Sequence, residues 1–132
     1  MINDDLKLKG KLAISINGEV VQEVDNLVVT AGKGYVASRM KDATATAMSH
    51  MAIGSGSTAA AASDTALGNE LGRVSLTSTN VSAAVVTYVA TFGAGTGTGA
   101  VTEAALLNAS SSGTMLCRTV FSVVNKGSAD SM

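Results

Sequence analysis

Leu12-Ala13-Ile14-Ser15-Ile16-Asn17-Gly18-Glu19-Val20-Val21-Gln22-Glu23-Val24 is the stretch on which the fold turns. Leu12, Ile14 and Ile16 alternate with smaller or polar residues, the period of a strand with one face buried. Asn17-Gly18 then supplies two residues that tolerate positive φ, as a type I′ turn requires. Val20, Val21 and Val24 carry the chain back, so the segment reads as an antiparallel hairpin.

Downstream, Thr30 stands as a cap before Tyr35, Val36 and Met40, whose spacing by three and four predicts a helix over residues 31–41. Gly32 and Gly34 weaken it by roughly 1 kcal/mol each relative to Ala. After an Ala/Thr loop, Met48 to Ile53 reads as a short buried strand ending at Gly54-Ser55-Gly56-Ser57, and a low-complexity loop follows through Asp64. Leu67 to Asn80 and Val81 to Phe92 alternate as two strands paired across a turn at Asn80, with Val86, Tyr88, Ala90 and Phe92 facing one way. Gly93 to Gly99 breaks the pattern, Val101 to Leu107 resumes it, and Asn108 to Gly113 is a loop. Thr114 to Val124 is a long strand with Met115, Cys117, Phe121 and Val123 on one face. Short strands separated by Gly/Ser turns, with one short helix near residues 31–41, predict an all-β fold, a β-sandwich of jelly-roll type. The expected organisation is an N-terminal arm over residues 1–9 and a single β domain over residues 10–132.

The length of 132 residues suits one domain. Ala, Gly, Ser and Thr together make 64 residues, and Tyr35, Tyr88, Phe92 and Phe121 are the only aromatics. A core of Ala and Val buries less apolar area per residue than one of Leu and Phe, at roughly 25 cal/mol per Å², so an isolated monomer should be marginally stable. Net charge is −1, which leaves no cationic excess for a phosphate backbone and argues against nucleic acid as a partner. The distribution is more telling: residues 43–132 carry three positive and four negative side chains, far below the charged fraction that covers a soluble monomer. Two readings stand: Ser and Thr coat an exposed β surface, or much of that surface is covered by other subunits. Val74 to Thr102 is uncharged, but 15 of its 29 residues are Ser, Thr, Asn or Gly and its apolar positions alternate, so it reads as strand and not as a membrane span. No basic segment followed by an apolar run opens the chain, so the sequons at Asn80 and Asn108 read as chance.

Motifs for chemistry are sparse. Gly95-Thr96-Gly97-Thr98-Gly99-Ala100 satisfies G-x-G-x-x-A, yet a dinucleotide site needs a following helix and an acid about 20 residues on, and position 119 is Thr. The segment reads as a loop between strands. Nucleophilic catalysis needs a base beside a nucleophile, and only His50 and Cys117 could form that pair. Each sits in an apolar strand-like run, so a buried or interface His and a core Cys are the expectation. Asp4-Asp5 lacks further ligands for a metal, and nothing in the sequence brings Asp64, Glu70 and Glu103 together. No catalytic residue, cofactor or metal is assigned, and the chain is not expected to be an enzyme.

Met51-Ala-Ile-Gly-Ser-Gly-Ser-Thr58, Ser63-Asp-Thr-Ala-Leu-Gly-Asn-Glu70, Arg73-Val74, Thr87-Tyr-Val-Ala-Thr-Phe92, Gly99-Ala-Val-Thr-Glu-Ala-Ala105 and Gly113-Thr-Met-Leu-Cys-Arg-Thr-Val-Phe-Ser122 form a pattern that resembles small virion proteins of tailed bacteriophages. The resemblance covers roughly residues 27–128. A short chain of this kind is most similar to capsid cement, or decoration, proteins, β-rich domains bound to the outside of the shell. The resemblance implies a virion location on the capsid exterior, the major capsid protein as partner, and bridging of neighbouring capsomers. Similar motifs occur in tail and tail-fibre-associated proteins, and a small receptor- or sugar-binding module is the alternative from another class. The family pattern also implies a further apolar strand after Asn125-Lys126-Gly127, where Ser128 to Met132 stand here.

From these expectations follow the candidate contact residues. Strand Thr114 to Val124 should present an unpaired edge, which invites strand addition. The arm Met1 to Lys9 can supply that strand, in cis or from a second copy of a homodimer. Ile2, Leu6 and Leu8 of the arm, with Met115 and Phe121 of the strand, are the expected protein-interface residues.

Overall fold

The computed structural model describes residues 7–132. Strands β1 (Gly10–Ile16) and β2 (Glu19–Val28) form the expected hairpin, with Asn17 at φ 50° and Gly18 at φ 86° in its turn. Helix α1 (Thr30–Lys41) follows, then β3 (His50–Gly54), β4 (Glu70–Ser75), β5 (Ser78–Ser82), β6 (Val85–Val89), β7 (Gly99–Leu107) and β8 (Met115–Lys126). All pairings are antiparallel. One six-stranded sheet runs in the order β1-β2-β8-β7-β3-β4, and β5 and β6 form a separate two-stranded ribbon. The fold is therefore all-β with one short helix.

Strand β2 changes partner along its length. Glu19 to Asn26 pair with β1, whereas Leu27 and Val28 pair with Arg118 and Cys117 of β8. That handover lets the β1–β2 ribbon leave the plane of the other four strands. Ile14 of β1 is buried in one cluster with Ile53, Phe92, Val101, Ala104, Phe121 and Val124. In a flat sheet at ~4.8 Å per strand, β1 and β3 would lie about 19 Å apart, so the sheet folds over itself. The opposite face of the central strands holds a second cluster of Ala52, Ala105, Leu107 and Met115 with Val29, against which Ala31 of α1 and Leu67 pack. With both faces covered, simple alternation disappears: Glu103, Ala104 and Ala105 are buried in succession, as are Cys117, Arg118 and Thr119.

Several expectations are corrected. Strand β8 is not an edge: it lies between β2 and β7, and the outer strands are β1 and β4. Val124, not Val123, turns inward: it packs in one cluster with Phe121, three positions before it, where the pairing with β7 slips from Glu103–Val120 to Val101–Val124 and simple alternation is interrupted. The turn placed at Asn80 lies at residues 83–84, with Ala83 at φ 51°, while Asn80 pairs with Thr87 inside the ribbon. The single strand read over residues 67–80 is two: β4 joins β3, and β5 joins β6. Alternation runs on through Leu76 and Thr77 and so cannot mark that break.

Thr30 does not cap α1. It is the first helical residue, and its N–H donates to the Ala62 carbonyl while that of Val29 donates to Leu116. Tertiary contacts thus replace the side-chain cap. Met40 stands 70% exposed, and the buried residue of the helix is Gly32, where a Cβ would run into the Leu116 carbonyl. The glycine that lowers helix propensity is what seats the helix on β8.

Residues 128–132 fold back instead of forming a further strand of the sheet. Met132 and Phe92 exchange backbone hydrogen bonds of 2.8 and 3.0 Å, and the Asn17 N–H donates to Ser131 at 2.8 Å. Beneath this return, the buried Lys126 ammonium donates to the Gly93 and Asp130 carbonyls, each at 2.8 Å.

Candidate interaction surface

Of the expected interface residues, Ile2 and Leu6 lie outside the described residues, as do Asp4 and Asp5. Leu8 is exposed and lines a shallow cleft of about 370 Å³ with Lys7, Lys33, Val36, Ala37 and Met40, which contains no aromatic side chain. Met115 and Phe121 are buried in the chain's own two cores and present no surface to a partner. Their inward position follows from β8 being a central strand with both faces covered.

His50 and Cys117 are not neighbours, since β7 lies between their strands. The Ser49 hydroxyl is 2.8 Å from Nδ1 of His50 and the Ser75 hydroxyl 3.4 Å from Nε2. Burial pushes the Cys117 thiol up to about 11, and its Sγ accepts from Asn26 Nδ2 at 3.5 Å. A thiol so placed is a poor nucleophile. The glycine segment 95–99 leads straight into β7 and not into a helix, so the peptide N–H array of a phosphate-binding helix end is not built there.

Two carboxylates do come together, around an arginine. Glu103 is fully buried on β7 and Arg118 nearly so on β8. Arg118 donates from Nε and Nη2 to Glu103 Oε2 at 3.1 and 2.9 Å, from Nη1 to Asp64 at 2.8 Å, and from Nη2 to the Thr58 carbonyl at 3.0 Å. Glu103 also accepts the backbone N–H groups of Gly56, Gly68 and Asn69 at 2.8–2.9 Å. Burial pushes the Glu103 carboxyl up, but these N–H groups and Arg118 outweigh it and hold it below its ordinary value. Asp64 is also held low, first by the Ala61 N–H and then by Arg118. With its carboxylates already satisfied and its cation enclosed between them, the cluster is a clasp that pins residues 55–69 onto the sheet. Among the described residues, no three His, Cys, Asp or Glu side chains gather as metal ligands do. No helix among them is long and apolar enough to cross a membrane.

The clasp also changes the surface. Glu103, Arg118 and Lys126, three of the seven charges in residues 43–132, point inward. Arg73 is largely covered too, paired with Glu70 at 2.7 Å and donating to the Ala109 and Ser112 carbonyls. Val20, Val21 and Val123 are exposed on β2 and β8, where Gln22 Nε2 bonds the Ser122 carbonyl. The β5–β6 ribbon is exposed throughout except at Tyr88. Sequence reasoning anticipated the scarcity of charge in this half; the inward turn of the remaining charges had no sequence signal, since Glu103 and Arg118 look like any strand residues.

Compared with protein-family models, curated proteins and solved structures, the chain matches none.

Proposed function

We propose that the chain is a non-enzymatic structural protein of a tailed-bacteriophage virion. It acts as a cement, or decoration, protein on the capsid exterior that binds the major capsid protein, bridges capsomers and associates with itself as a homodimer. The observation that carries this reading is the surface of residues 43–132, where three of only seven charges are withdrawn into the interior, leaving Ser, Thr, Ala and Val outside. A surface so poor in charge and marked by exposed valines suits lasting burial against other subunits. The sequence resemblance over residues 27–128 supports the same class.

The mechanism is mass action. A protein that binds only the assembled shell stabilises it by RT ln(1 + [L]/Kd) per site, about 2.7 kcal/mol at 100 times Kd. Many copies multiply that term into resistance to internal pressure. The β1–β2 ribbon folded over the remaining strands supports a sandwich as the finer fold class. The jelly-roll form of it has less support, since β3 beside β4 and β7 beside β8 keep consecutive strands in one layer.

Mass spectrometry and electron cryo-microscopy of purified virions test the proposal. Shell-wide occupancy on the outer surface is the expected result. A few copies confined to the tail would replace it with the tail or tail-fibre reading, and absence from the particle would overturn the virion reading altogether.

A further inference from the structure

The β5–β6 ribbon pairs without a register shift, and among the described residues its strands pair with no other strand, only Tyr88 being partly turned from solvent. Isolated two-stranded ribbons are marginal in water; a third strand or a packed face is needed to hold them. Monomeric proteins also protect free strand edges with charges, proline or bulges. Residues 78–89 contain no charged residue and no proline, and the pairing is unbulged. Strand β6, Val85-Val86-Thr87-Tyr88-Val89, consists wholly of β-branched and aromatic residues, and Val85, Val86 and Val89 are exposed. Left bare, such an edge is an aggregation hazard.

We infer that β6 is covered by β6 of a second copy, so that two ribbons join edge to edge into one four-stranded antiparallel sheet about a two-fold axis through Thr87. The inference names the surface of the self-association proposed above and rests on that part of the reading, independently of where in the virion the chain sits.

Self-pairing follows from the residue order. Antiparallel pairing centred on Thr87 sets Val85 opposite Val89 of the other copy, and Val86 opposite Tyr88. Those are β-branched and aromatic cross-strand pairs, the stabilising kind. On one face Val85, Thr87 and Val89 meet their counterparts; on the other, Val86 and Tyr88 do. The competing edge serves less well: β5 pairing about Asn80 would oppose Ser78 to Ser82 and Thr79 to Val81, mostly polar matches. An uncharged edge also has nothing to repel an identical copy, and an isologous contact closes at two subunits instead of growing into fibres.

Cysteine scanning with the full chain tests this directly. Thr87→Cys places two thiols opposite each other across the axis and should give a disulfide-linked dimer on mild oxidation. Val85→Cys should stay uncrosslinked, because the two copies of residue 85 would lie about 14 Å apart along the strands. Asn80→Cys should also stay uncrosslinked. The parent chain is the control for Cys117, which is buried. In sedimentation, Val86→Lys should weaken the dimer by roughly ten- to hundredfold through lost cross-strand pairs and like-charge opposition while circular dichroism stays unchanged. A parent that sediments as a monomer at micromolar concentration would overturn both this inference and the proposed self-association. A dimer that crosslinks through Asn80→Cys, or not through Thr87→Cys, would overturn the β6 pairing alone. So would Val86→Lys leaving the dimer intact while abolishing capsid binding, which would assign the ribbon to the shell.

Discussion

Arg118 Nη2 lies 2.9 Å from Glu103 Oε2, and the two residues are diagonal neighbours on one face of adjacent strands, since Ala105 is the direct partner of Arg118. Around this pair the long connection of residues 55–69 is ordered without a strand or helix of its own. Its Gly56, Gly68 and Asn69 N–H groups end on the same carboxylate. A connection of that length within a folded domain calls for such an anchor, and here the anchor is ionic, not apolar.

Replacing Glu103 by Gln should cost about 3–5 kcal/mol, because it leaves a buried guanidinium with one fewer anionic partner. The pH dependence has a definite sign. Glu103 titrates lower in the folded chain than its ordinary value of 4.5, so its stabilisation is fully present above that value and is lost as pH falls through the depressed folded one. Thermal melts from neutrality downward should show Tm falling only in the acid range, and Glu103→Gln should shallow that fall while lowering Tm at neutrality. Equal neutral Tm values for variant and parent would contradict the clasp.

Two helix glycines that look alike in sequence should respond oppositely to Ala. At Gly34 a Cβ meets nothing within 4 Å, so Gly34→Ala should stabilise by about 0.5–1 kcal/mol through helix propensity. At Gly32 it meets the Leu116 backbone, so Gly32→Ala should destabilise despite the same propensity gain. Denaturant midpoints of the two variants check the difference in sign.

The Cys117 thiol, raised to about 11 by burial, should resist alkylation in the folded chain even at mildly alkaline pH and react once guanidinium unfolds it. Cys117→Ser should cost roughly 1–3 kcal/mol through the buried hydroxyl. Neither Cys117→Ser nor His50→Ala should reduce binding to capsids in protein that remains folded. Rapid labelling of native protein would show that β8 opens more readily than a central strand should.

The hairpin at Asn17-Gly18, the helix after it, and the strands over residues 101–107 and 114–124 were legible because turn chemistry and local periodicity are written in adjacent residues. The scarcity of charge after residue 42 was legible in the same way. What needed the tertiary structure was everything decided by distant partners. Leu116 seats Gly32, β2 and β7 enclose β8, and Arg118 gathers Asp64 and Glu103 from 54 and 15 positions away. A strand's period states which side chains share a face, not whether that face meets solvent, a second layer or a loop. That depends on burial free energy summed over the whole chain, and so Met115 and Phe121 became core while the valines of β6 remained outside.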